Sequence, residues 1–489
     1  MVSREQVARR HRPACHRSGN RPWRDPAPHA HSGILDDSLA AVCMRAYEFE
    51  IDLLGNFEHH LPNLAKNWAV ANDHPCSHEL ILLDIDEKLE QISTKIARSF
   101  GATGAESGFS PVFSNRPAWN AMLKVPFLDL RVTDERERAE ILSGIERILM
   151  HGRVLLGPEV DEFEQKVAAR VGRRHAIGCN SGTDALIIAM RALQIGPGDE
   201  VIVPALSFIA TANAVSLVGA TPVFADLDDN LNISAESVER LVTPATKAMI
   251  PVHWAGRMCE MDSLIAVAQK FGLHVVEDAS QAFDAAIGPR KAGSYGVIGC
   301  FSMNSMKVFS SLGEAGVLVT DDAALRERCV TLRYHGLVNR EFCTELAQNS
   351  RLDTVQAAVL LVRLERLASV IDRRRQNALY LNRRLQNHVS VPWEPEGQRH
   401  IYYTYTIQTD RREDLGTFLA SQNIETKIQH PLLLPQHPIY VGRARGEWTR
   451  ADSLIKRVLC LPSNEKLTDA QLERVADAVI EFAASRAAA

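Results

Sequence analysis

From residue 122 onward, short apolar runs alternate with amphipathic stretches along the chain. Seven such runs stand out, several of them nearly continuous in valine, isoleucine and alanine: HAIGC, EVIVPA, TPVFADL, AMIPVHW, HVVEDA, VIGCFS and GVLVT. Continuous apolar strands separated by helices are typical of a parallel sheet that is buried on both faces. The pattern therefore predicts a large α/β domain over residues 122–365, in which helices cover the sheet.

Helical spacing of apolar residues dominates on either side of these strands. Helices are predicted around 133–150 and 158–171, before the first strand, and a long helix over about 353–388 follows the last strand. Further on, IYYTYTIQ predicts one strand, and REDLGTFLASQ and DAQLERVADAVIEFAAS predict helices. This mixture indicates a second, smaller α+β domain over residues 366–489.

The first 121 residues lack this pattern. Residues 1–33 are rich in arginine, histidine and proline and have no apolar periodicity, which is typical of a disordered segment. Apolar residues recur at helical spacing only near residues 77–100, at Ile85, Leu89, Ile92, Ile96 and Phe100. We therefore expect residues 1–121 to form an extension that is largely disordered apart from this helix, with Met122 as a candidate native start.

Composition and charge exclude several classes of function. The formal net charge of -5 offers no general basic surface for nucleic acid, and no apolar run approaches the ~20 residues that span a bilayer. The nine cysteines form no CxxC pair, which predicts reduced thiols and, without an apolar leader, a cytoplasmic protein. His29 and His31 lie in a proline-rich stretch and do not predict a metal site.

Polar residues with distinct chemistry follow three of the predicted strands. In open α/β sheets, ligands lie beyond the carboxyl ends of the strands, so these positions are the candidate site. Ser181, Gly182 and Thr183 follow the first strand and open a helix, whose free N–H groups suit a phosphate. The alternative interpretation is an ordinary helix cap with an acid in the first turn.

The other two positions carry an acid and a lysine. Asp278 ends the apolar run HVVEDA, and a buried carboxylate needs a partner such as a protonated pyridine, or an ordinary salt bridge in the loop. Lys307 follows VIGCFS, where a lysine is either a solvated surface charge or a nucleophile that forms an imine with a carbonyl. A phosphate site, a buried acid and a lysine, in this order, match what pyridoxal phosphate requires.

Residues 124 to about 485 resemble the DegT/StrS-type (DegT/DnrJ/EryC/StrS) sugar aminotransferases, which are fold-type I enzymes dependent on pyridoxal phosphate. The resemblance rests on a series of motifs, among them VPFLDLR, GRVLLGPEVDEFE, HAIGCNSGTDAL, IGPGDEVIVPALSFIATANAV, VVEDASQAF, FSMNSMK, GEAGVLVT and NSRLDTVQAAVL. It implies a large domain with a mostly parallel seven-stranded sheet between helices, a small C-terminal α+β domain and a homodimer with shared active sites.

The resemblance also implies roles for individual residues. Lys307 would bind the cofactor covalently and then act as acid and base, Asp278 would pair with the pyridinium nitrogen, and Gln281 would lie near the phenolic oxygen. Phe208 would stack on the ring. The phosphate would be held by Ser181, Gly182, Thr183 and Ser302, and the partner subunit's site would be completed by Asn349 and Arg351. From the residues alone, Arg351 would pair with Asp353 on its own chain.

Three positions depart from the pattern of this family. Ser305 stands two residues before the lysine in place of a proline, Ala347 replaces a glycine, and the family's I-H-Y-P becomes IQHP at Gln429 and His430. The last change lies where substrate is often contacted. The presence of Lys307 favours transamination over the activities of relatives that lack this lysine.

The predicted function is transfer of an amino group from L-glutamate to a nucleotide-linked keto sugar, in polysaccharide or antibiotic sugar biosynthesis. Two alternatives remain open: a glutamine-dependent aminocyclitol aminotransferase, and a regulatory protein that binds pyridoxal phosphate without turnover. Small-molecule substrates and a second copy of the chain are the expected partners, with no nucleic acid and no membrane.

Overall fold

The computed structural model describes residues 124–485. The predicted extension over 1–121, its helix near 77–100, the candidate start at Met122 and the pair His29 and His31 lie outside the described residues. Within the described part, no helix is both long enough and apolar enough to cross a bilayer.

Helices and strands alternate over the first part of the described chain, as the apolar pattern predicted. Their bounds are α1 Glu135–His151, α2 Pro158–Val171, β1 His175–Cys179, α3 Gly182–Ala192, β2 Glu200–Pro204, α4 Ile209–Leu217, β3 Thr221–Ala225, α5 Ala235–Leu241, β4 Thr246–Met249, α6 Met261–Phe271, β5 His274–Asp278, β6 Ala286–Ile287, β7 Arg290–Lys291, β8 Ile298–Ser302 and β9 Gly316–Thr320.

The later part is richer in helix. It contains α7 Ala323–Leu332, β10 Leu337–Val338, β11 Phe342–Cys343, α8 Thr354–Leu385, β12 Gln398–Arg399, β13 Tyr405–Gln408, α9 Arg412–Ser421, β14 Arg445–Gly446, α10 Thr449–Ile455, β15 Val458–Leu461 and α11 Asp469–Ala484.

The seven predicted strands form one sheet, and a strand that the pattern did not predict extends it. In the described chain this sheet has eight strands in the order β1-β9-β8-β5-β4-β2-β3-β14. Strand β9 runs antiparallel to β1 and β8, and the remaining pairs are parallel. The edge strand β14 has only two residues, too few to show a period in the sequence.

A close backbone contact explains how β14 reaches the sheet. Gly446 has φ +137°, and a Cβ atom there would lie 1.9 Å from the carbonyl oxygen of Phe224 in β3. Only glycine allows both this conformation and this approach. The sheet therefore has one more strand than the seven predicted.

Two apolar cores cover the two faces of the sheet. Val201 and Val203 of β2 belong to one core with helices α3 and α4, whereas Ile202 between them belongs to the other core with α2, α6 and α8. All three residues are fully buried, because successive side chains of a strand point to opposite faces and both faces are covered. This burial accounts for the continuous apolar runs in the sequence.

A third core lies in the C-terminal part of the chain. It joins the second half of α8 to β13, β15, α9 and α11, and β13 pairs antiparallel with β15. Val125 belongs to this core and pairs with Ile424, so the start of the described chain packs against its end. Helix α8, with 32 residues, contributes to both the first and the third core. A domain boundary at residue 365 falls inside this helix and stays a prediction.

Candidate active site

A cavity of about 530 Å³ lies at the carboxyl ends of β1, β5 and β8. Eight of the ten residues predicted for the site line it: Ser181, Gly182, Thr183, Phe208, Asp278, Gln281, Ser302 and Lys307. We call it the cofactor cavity. The strand ends gather these residues although up to 126 positions separate them in the sequence, since parallel strands end on the same edge of a sheet.

The N-terminus of α3 forms one wall of the cofactor cavity. Ser181 is the N-cap residue, and its hydroxyl accepts a hydrogen bond from the backbone N–H of Asp184. The N–H groups of Gly182 and Thr183 precede the first intrahelical bond and are available to a ligand. The predicted helix cap is therefore present, and it leaves these two N–H groups unbonded within the helix. The phosphate site at this helix end stays a prediction.

Gly182 permits a close contact between this helix and the end of β8. A Cβ atom at Gly182 would lie 2.6 Å from the Cβ of Ser302 and 3.0 Å from its Cα. The acid of the first turn, Asp184, accepts hydrogen bonds from the side-chain amides of Asn180 and Gln348. The helix end thus offers backbone N–H groups and hydroxyls around a space that a larger residue than Gly182 would narrow. Such a set of donors fits a phosphate.

Asp278 at the end of β5 is the buried acid of the cavity. Its side chain is nearly inaccessible, and its Oδ2 accepts a hydrogen bond from Thr211 Oγ1 at 2.8 Å while Oδ1 accepts from the Ser280 N–H at 3.1 Å. Both partners are neutral donors, so the described chain leaves the carboxylate charge without a cation. A buried anion in this position fits a protonated ring nitrogen as its partner.

The neighbouring acid, Glu277, has a structural role. It points to the opposite side of β5, where its carboxylate accepts hydrogen bonds from His253 and from the backbone N–H groups of Gly293, Tyr295 and Gly296. Burial favours the neutral acid, but the hydrogen bond from His253 and those from the backbone outweigh it and hold the pKa of Glu277 below its ordinary value. Because successive side chains of β5 point to opposite faces, Glu277 stabilises the fold and Asp278 lines the cavity.

Lys307 lies in the cavity within a tightly bonded loop after β8. Its Nζ is 4.7 Å from the centre of the Tyr403 ring. The loop is closed by a hydrogen bond from the Ser305 N–H to the Gly313 carbonyl at 2.9 Å. A proline has no N–H for this bond. The departure of Ser305 from the family pattern thus adds a hydrogen bond that orders the lysine loop.

The amide of Gln281 has a defined orientation. Its Oε1 accepts a hydrogen bond from the Ala255 N–H at 2.8 Å, and the side chain is almost fully buried. Because the oxygen is held by a backbone donor, the amide nitrogen is the group left to donate into the cavity. A donor in this position fits the phenolic oxygen of pyridoxal phosphate.

Aromatic rings form a continuous row beside the cavity. Phe208 is about half exposed, and its ring centre lies 5.7 Å from that of His430, which in turn lies 5.3 Å from Trp254. Burial and the positive charge of Lys307 lower the pKa of His430 to about 4, so its imidazole is neutral at pH 7. Its Nε2 atom is buried and has no hydrogen-bond partner among the described residues.

Asn349 and Arg351 do not line the cofactor cavity. They flank the buried Ser350 in an extended segment beside the end of β1 and lie on its more exposed face. Arg351 Nε donates to Asn349 Oδ1 at 2.8 Å, and its guanidinium lies 4.6 Å from the centre of the Tyr334 ring. In the described chain, Arg351 makes these contacts and not the ion pair with Asp353 that the residues alone suggested.

The cavity is also lined by residues that the sequence did not single out. Further lining residues include Thr211, Ser207, Tyr403, Lys427 and Glu314. Thr211 follows Phe208 by three positions, which places both on one face of the apolar helix α4. This spacing of a polar residue could have predicted that Thr211 lines the cavity. No pattern in the sequence could have predicted Tyr403, because it lies far along the chain from Lys307 and the strand ends that form the cavity.

Relatives of this chain are known enzymes. The UDP-N-acetyl-3-dehydro-alpha-D-glucosamine 3-aminotransferase of Acidithiobacillus ferrooxidans is 41% identical over 357 residues, covering 73% of this chain and 97% of the relative. The dTDP-3-amino-3,4,6-trideoxy-alpha-D-glucose transaminase of Streptomyces venezuelae is 40% identical over 365 residues, covering 74% and 96%.

A crystal structure has the same fold. The S. venezuelae protein DesV, solved in complex with a ketimine intermediate, superposes with a TM-score of 0.71 at 40% identity and covers 74% of this chain and 98% of that chain. The family model for the DegT/DnrJ/EryC1/StrS aminotransferase family matches residues 135–480. The chain therefore belongs to the DegT/DnrJ/EryC1/StrS aminotransferase family, whose enzymes depend on pyridoxal phosphate, as the sequence predicted.

Proposed function

We propose that this enzyme transfers the amino group of L-glutamate to a nucleotide-linked keto sugar, in the biosynthesis of a polysaccharide or an antibiotic sugar. The observation that carries the proposal is that one cavity gathers Lys307, the buried carboxylate of Asp278 and the N-terminus of α3. The names of the two relatives support a nucleotide-linked sugar as the amino acceptor.

The residues of the cavity suit each part of pyridoxal phosphate. The Gly182 and Thr183 N–H groups and the hydroxyls of Ser181 and Ser302 would bind the phosphate. When bound, the cofactor supplies the carbon that carries the amino group and a ring that accepts the electron pair of the substrate.

Three further side chains would orient and tune the ring. Asp278 would accept the hydrogen bond of a protonated ring nitrogen, the amide nitrogen of Gln281 would donate to the phenolic oxygen, and Phe208 would cover a ring face. Thr211 and Ser280 hold the Asp278 carboxylate in one orientation, so that both of its oxygens remain acceptors.

Lys307 is the group that moves protons in this proposal. Its Nζ would take the proton from the α-carbon of glutamate in the first half of the reaction and would deliver a proton to the sugar carbon that gains the amino group in the second half. The Tyr403 ring, 4.7 Å away, limits the positions that the Nζ can take. The tightly bonded loop from Ser305 to Gly313 adds to this positioning.

The acceptor sugar would bind beside lining residues that the cofactor does not use. Lys427, Gln429 and His430 line this region. The Lys427 ammonium suits the diphosphate of a nucleotide sugar. The neutral imidazole of His430 has a buried nitrogen without a partner, which suits a sugar hydroxyl.

The same proposal includes a cytoplasmic homodimer in which each subunit completes the other's site. Asn349 and Arg351 lie outside their own cavity on an exposed segment, and an arginine can bind phosphate oxygens through two parallel hydrogen bonds. Small-molecule substrates and a second copy of the chain are then the only partners that the reaction needs.

The test is turnover by the full chain loaded with pyridoxal phosphate. L-Glutamate or L-glutamine is combined with UDP- and dTDP-linked keto sugars or with a keto-cyclitol. Mass spectrometry follows the amino product together with 2-oxoglutarate from glutamate or 2-oxoglutaramate from glutamine. We expect product only from glutamate with a nucleotide-linked keto sugar, and none from Lys307→Ala. Turnover of glutamine with the cyclitol would support the first alternative. Tight cofactor binding without turnover of any pair would support the regulatory alternative.

A further inference from the structure

A second cavity, of about 250 Å³, lies next to the cofactor cavity but is separate from it. Trp254 lines the second cavity, and the edge of its ring contacts His430, which lines the first. We call this second cavity the Trp393 cavity. Its lining includes Trp254, Arg257, Trp393, His400, Thr404 and Thr406.

Arg257 is a buried cation whose hydrogen-bond donors are only partly used, although the carboxylates of Asp228 and Glu260 offset part of its charge. The residue is only 4% exposed, and its Nε has no hydrogen-bond partner among the described residues. Its ion pair with Glu260 is long, at 3.4 Å, and the Glu260 side chain is mostly in solvent. The nearby Asp228 carboxylate offsets part of the Arg257 charge but makes no hydrogen bond to it in the described chain, because it accepts hydrogen bonds from the backbone N–H groups of Asn230 and Asn232. A buried guanidinium with an unused donor is costly unless an acceptor binds there.

A second unused donor lies on the same cavity. The Trp254 residue is 2% exposed, and its indole N–H has no acceptor among residues 124–485. Buried tryptophan N–H groups usually have a partner. Trp254 and Arg257, which are not part of the predicted cofactor site, thus each have a shielded N–H donor without an acceptor in the described part of the chain, and both residues line this cavity.

The remaining lining adds an aromatic surface and no further cation. Trp393 is 61% exposed, and the guanidinium carbon of Arg257 lies 5.2 Å from its ring centre. Burial and the charge of Arg257 lower the pKa of His400 to about 3, so His400 is neutral. The acid on the lining, Asp229, is exposed and forms a 3.5 Å ion pair with Arg450. The cavity therefore combines one positive charge, unused N–H donors and a flat apolar face.

We propose that the Trp393 cavity is a second ligand site, which binds a small organic acid with a flat ring. The carboxylate pairs with the Arg257 guanidinium, and the ring lies against Trp393. The site is distinct from the cofactor cavity and does not depend on which sugar the enzyme aminates. The contact of Trp254 with His430 connects the two cavities physically.

Titration of the full-length holoenzyme with benzoate tests this proposal, with uncharged benzamide as the control ligand. We expect calorimetry to give one benzoate site per chain, a change in tryptophan fluorescence and no change in the visible absorption of the cofactor. Arg257→Met should weaken benzoate binding at least tenfold, while Arg326→Met, which removes an exposed arginine on α7, should leave it unchanged. Benzoate binding that alters the cofactor absorption and persists in Arg257→Met would overturn the proposal.

A second variant and a crystal soak locate the site independently. Trp393→Ala changes an exposed side chain and should fold even if Arg257→Met does not, and we expect it to weaken benzoate binding while benzamide stays unbound. In crystals soaked with 4-iodobenzoate, the anomalous iodine signal should lie beside Trp393. Iodine only beside Lys307, or a partner subunit's side chain filling the Trp393 cavity, would contradict the second site.

Discussion

The hydroxyl of Thr211 donates a hydrogen bond to the Asp278 carboxylate across 2.8 Å inside the cofactor cavity. Both residues are almost fully buried. Because the Thr211 hydroxyl has a single proton, the 2.8 Å contact between Thr211 and Ser207 must have Ser207 as its donor. The chain of hydroxyls therefore points toward Asp278 and keeps its carboxylate an acceptor.

The Asp278 carboxylate should be required for turnover more than for cofactor binding. In Asp278→Asn, the anion that we propose keeps the ring nitrogen protonated is lost, and turnover should fall by several powers of ten, each corresponding to about 1.4 kcal/mol of barrier. Cofactor affinity should fall less. Thr211→Val should reduce turnover by about tenfold, because it removes a hydrogen bond to a carboxylate that contributes about 1.5 kcal/mol, and Thr211→Ser should restore it. Near-normal turnover in Asp278→Asn would mean that another acid holds the ring.

Lys307 should be the lysine that binds the cofactor covalently. Treatment of the holoenzyme with borohydride should fix the cofactor to Lys307, as located by peptide mass mapping. Lys427→Ala is the matched control, because it removes the other lysine of the cavity. In that variant the adduct should remain on Lys307, and Lys307→Ala should bind the cofactor without forming an adduct. An adduct on any other lysine would show that Lys307 is not the lysine that binds the cofactor.

The tight contact at Gly182 predicts that an added methyl group weakens cofactor binding. In Gly182→Ala the Cβ would clash with Ser302 at 2.6 Å and push α3 away from β8, so the affinity for pyridoxal phosphate should fall at least tenfold. In the control Gly416→Ala, the nearest atom to the new Cβ is Thr426 Oγ1 at 3.9 Å. That variant should bind normally and gain up to about 1 kcal/mol of helix stability. Unchanged affinity in Gly182→Ala would show that the phosphate binds elsewhere.

Complementation between inactive variants should reveal whether sites are shared. Lys307→Ala and Arg351→Ala should each be poorly active as homodimers. In a mixed dimer, one site carries both lesions and the other carries neither, so activity should return to up to half of the wild-type value. Differential tags isolate the mixed dimer for the assay. If purified mixed dimers are no more active than their parents, Arg351 acts only within its own subunit.

The buried His400 should make the fold less stable in acid. Burial lowers its pKa to about 3, whereas the unfolded value is about 6.5, so between these pH values the unfolded chain binds a proton that the folded chain does not. Stability should therefore fall as the pH drops below about 6.5, by up to about 1.4 kcal/mol per pH unit from this residue. Melting temperatures from pH 7 to pH 5 should fall less in His400→Gln. Equal losses in wild type and variant would contradict this linkage.

Sequence patterns determined the elements of this protein and much of its site. The strands of the sheet were recognisable because both faces are covered, which requires continuous apolar runs such as Val201 to Val203. Asp278, Lys307 and the start of α3 were recognisable because ligands of such sheets lie beyond the strand ends. These are local signals, and each depends on a few neighbouring positions.

Only the tertiary structure decided which distant segments meet. The approach of Tyr403 to Lys307 and the contact of Trp254 with His430 each depend on how the C-terminal segments pack on the sheet. The Trp393 cavity brings together Trp254 and Trp393, which are about 140 positions apart in the sequence. The short strand β14 is also invisible in the sequence, since two residues carry no period. Side-chain patterns encode the burial of each element, whereas contacts between elements depend on the geometry of the whole packed chain.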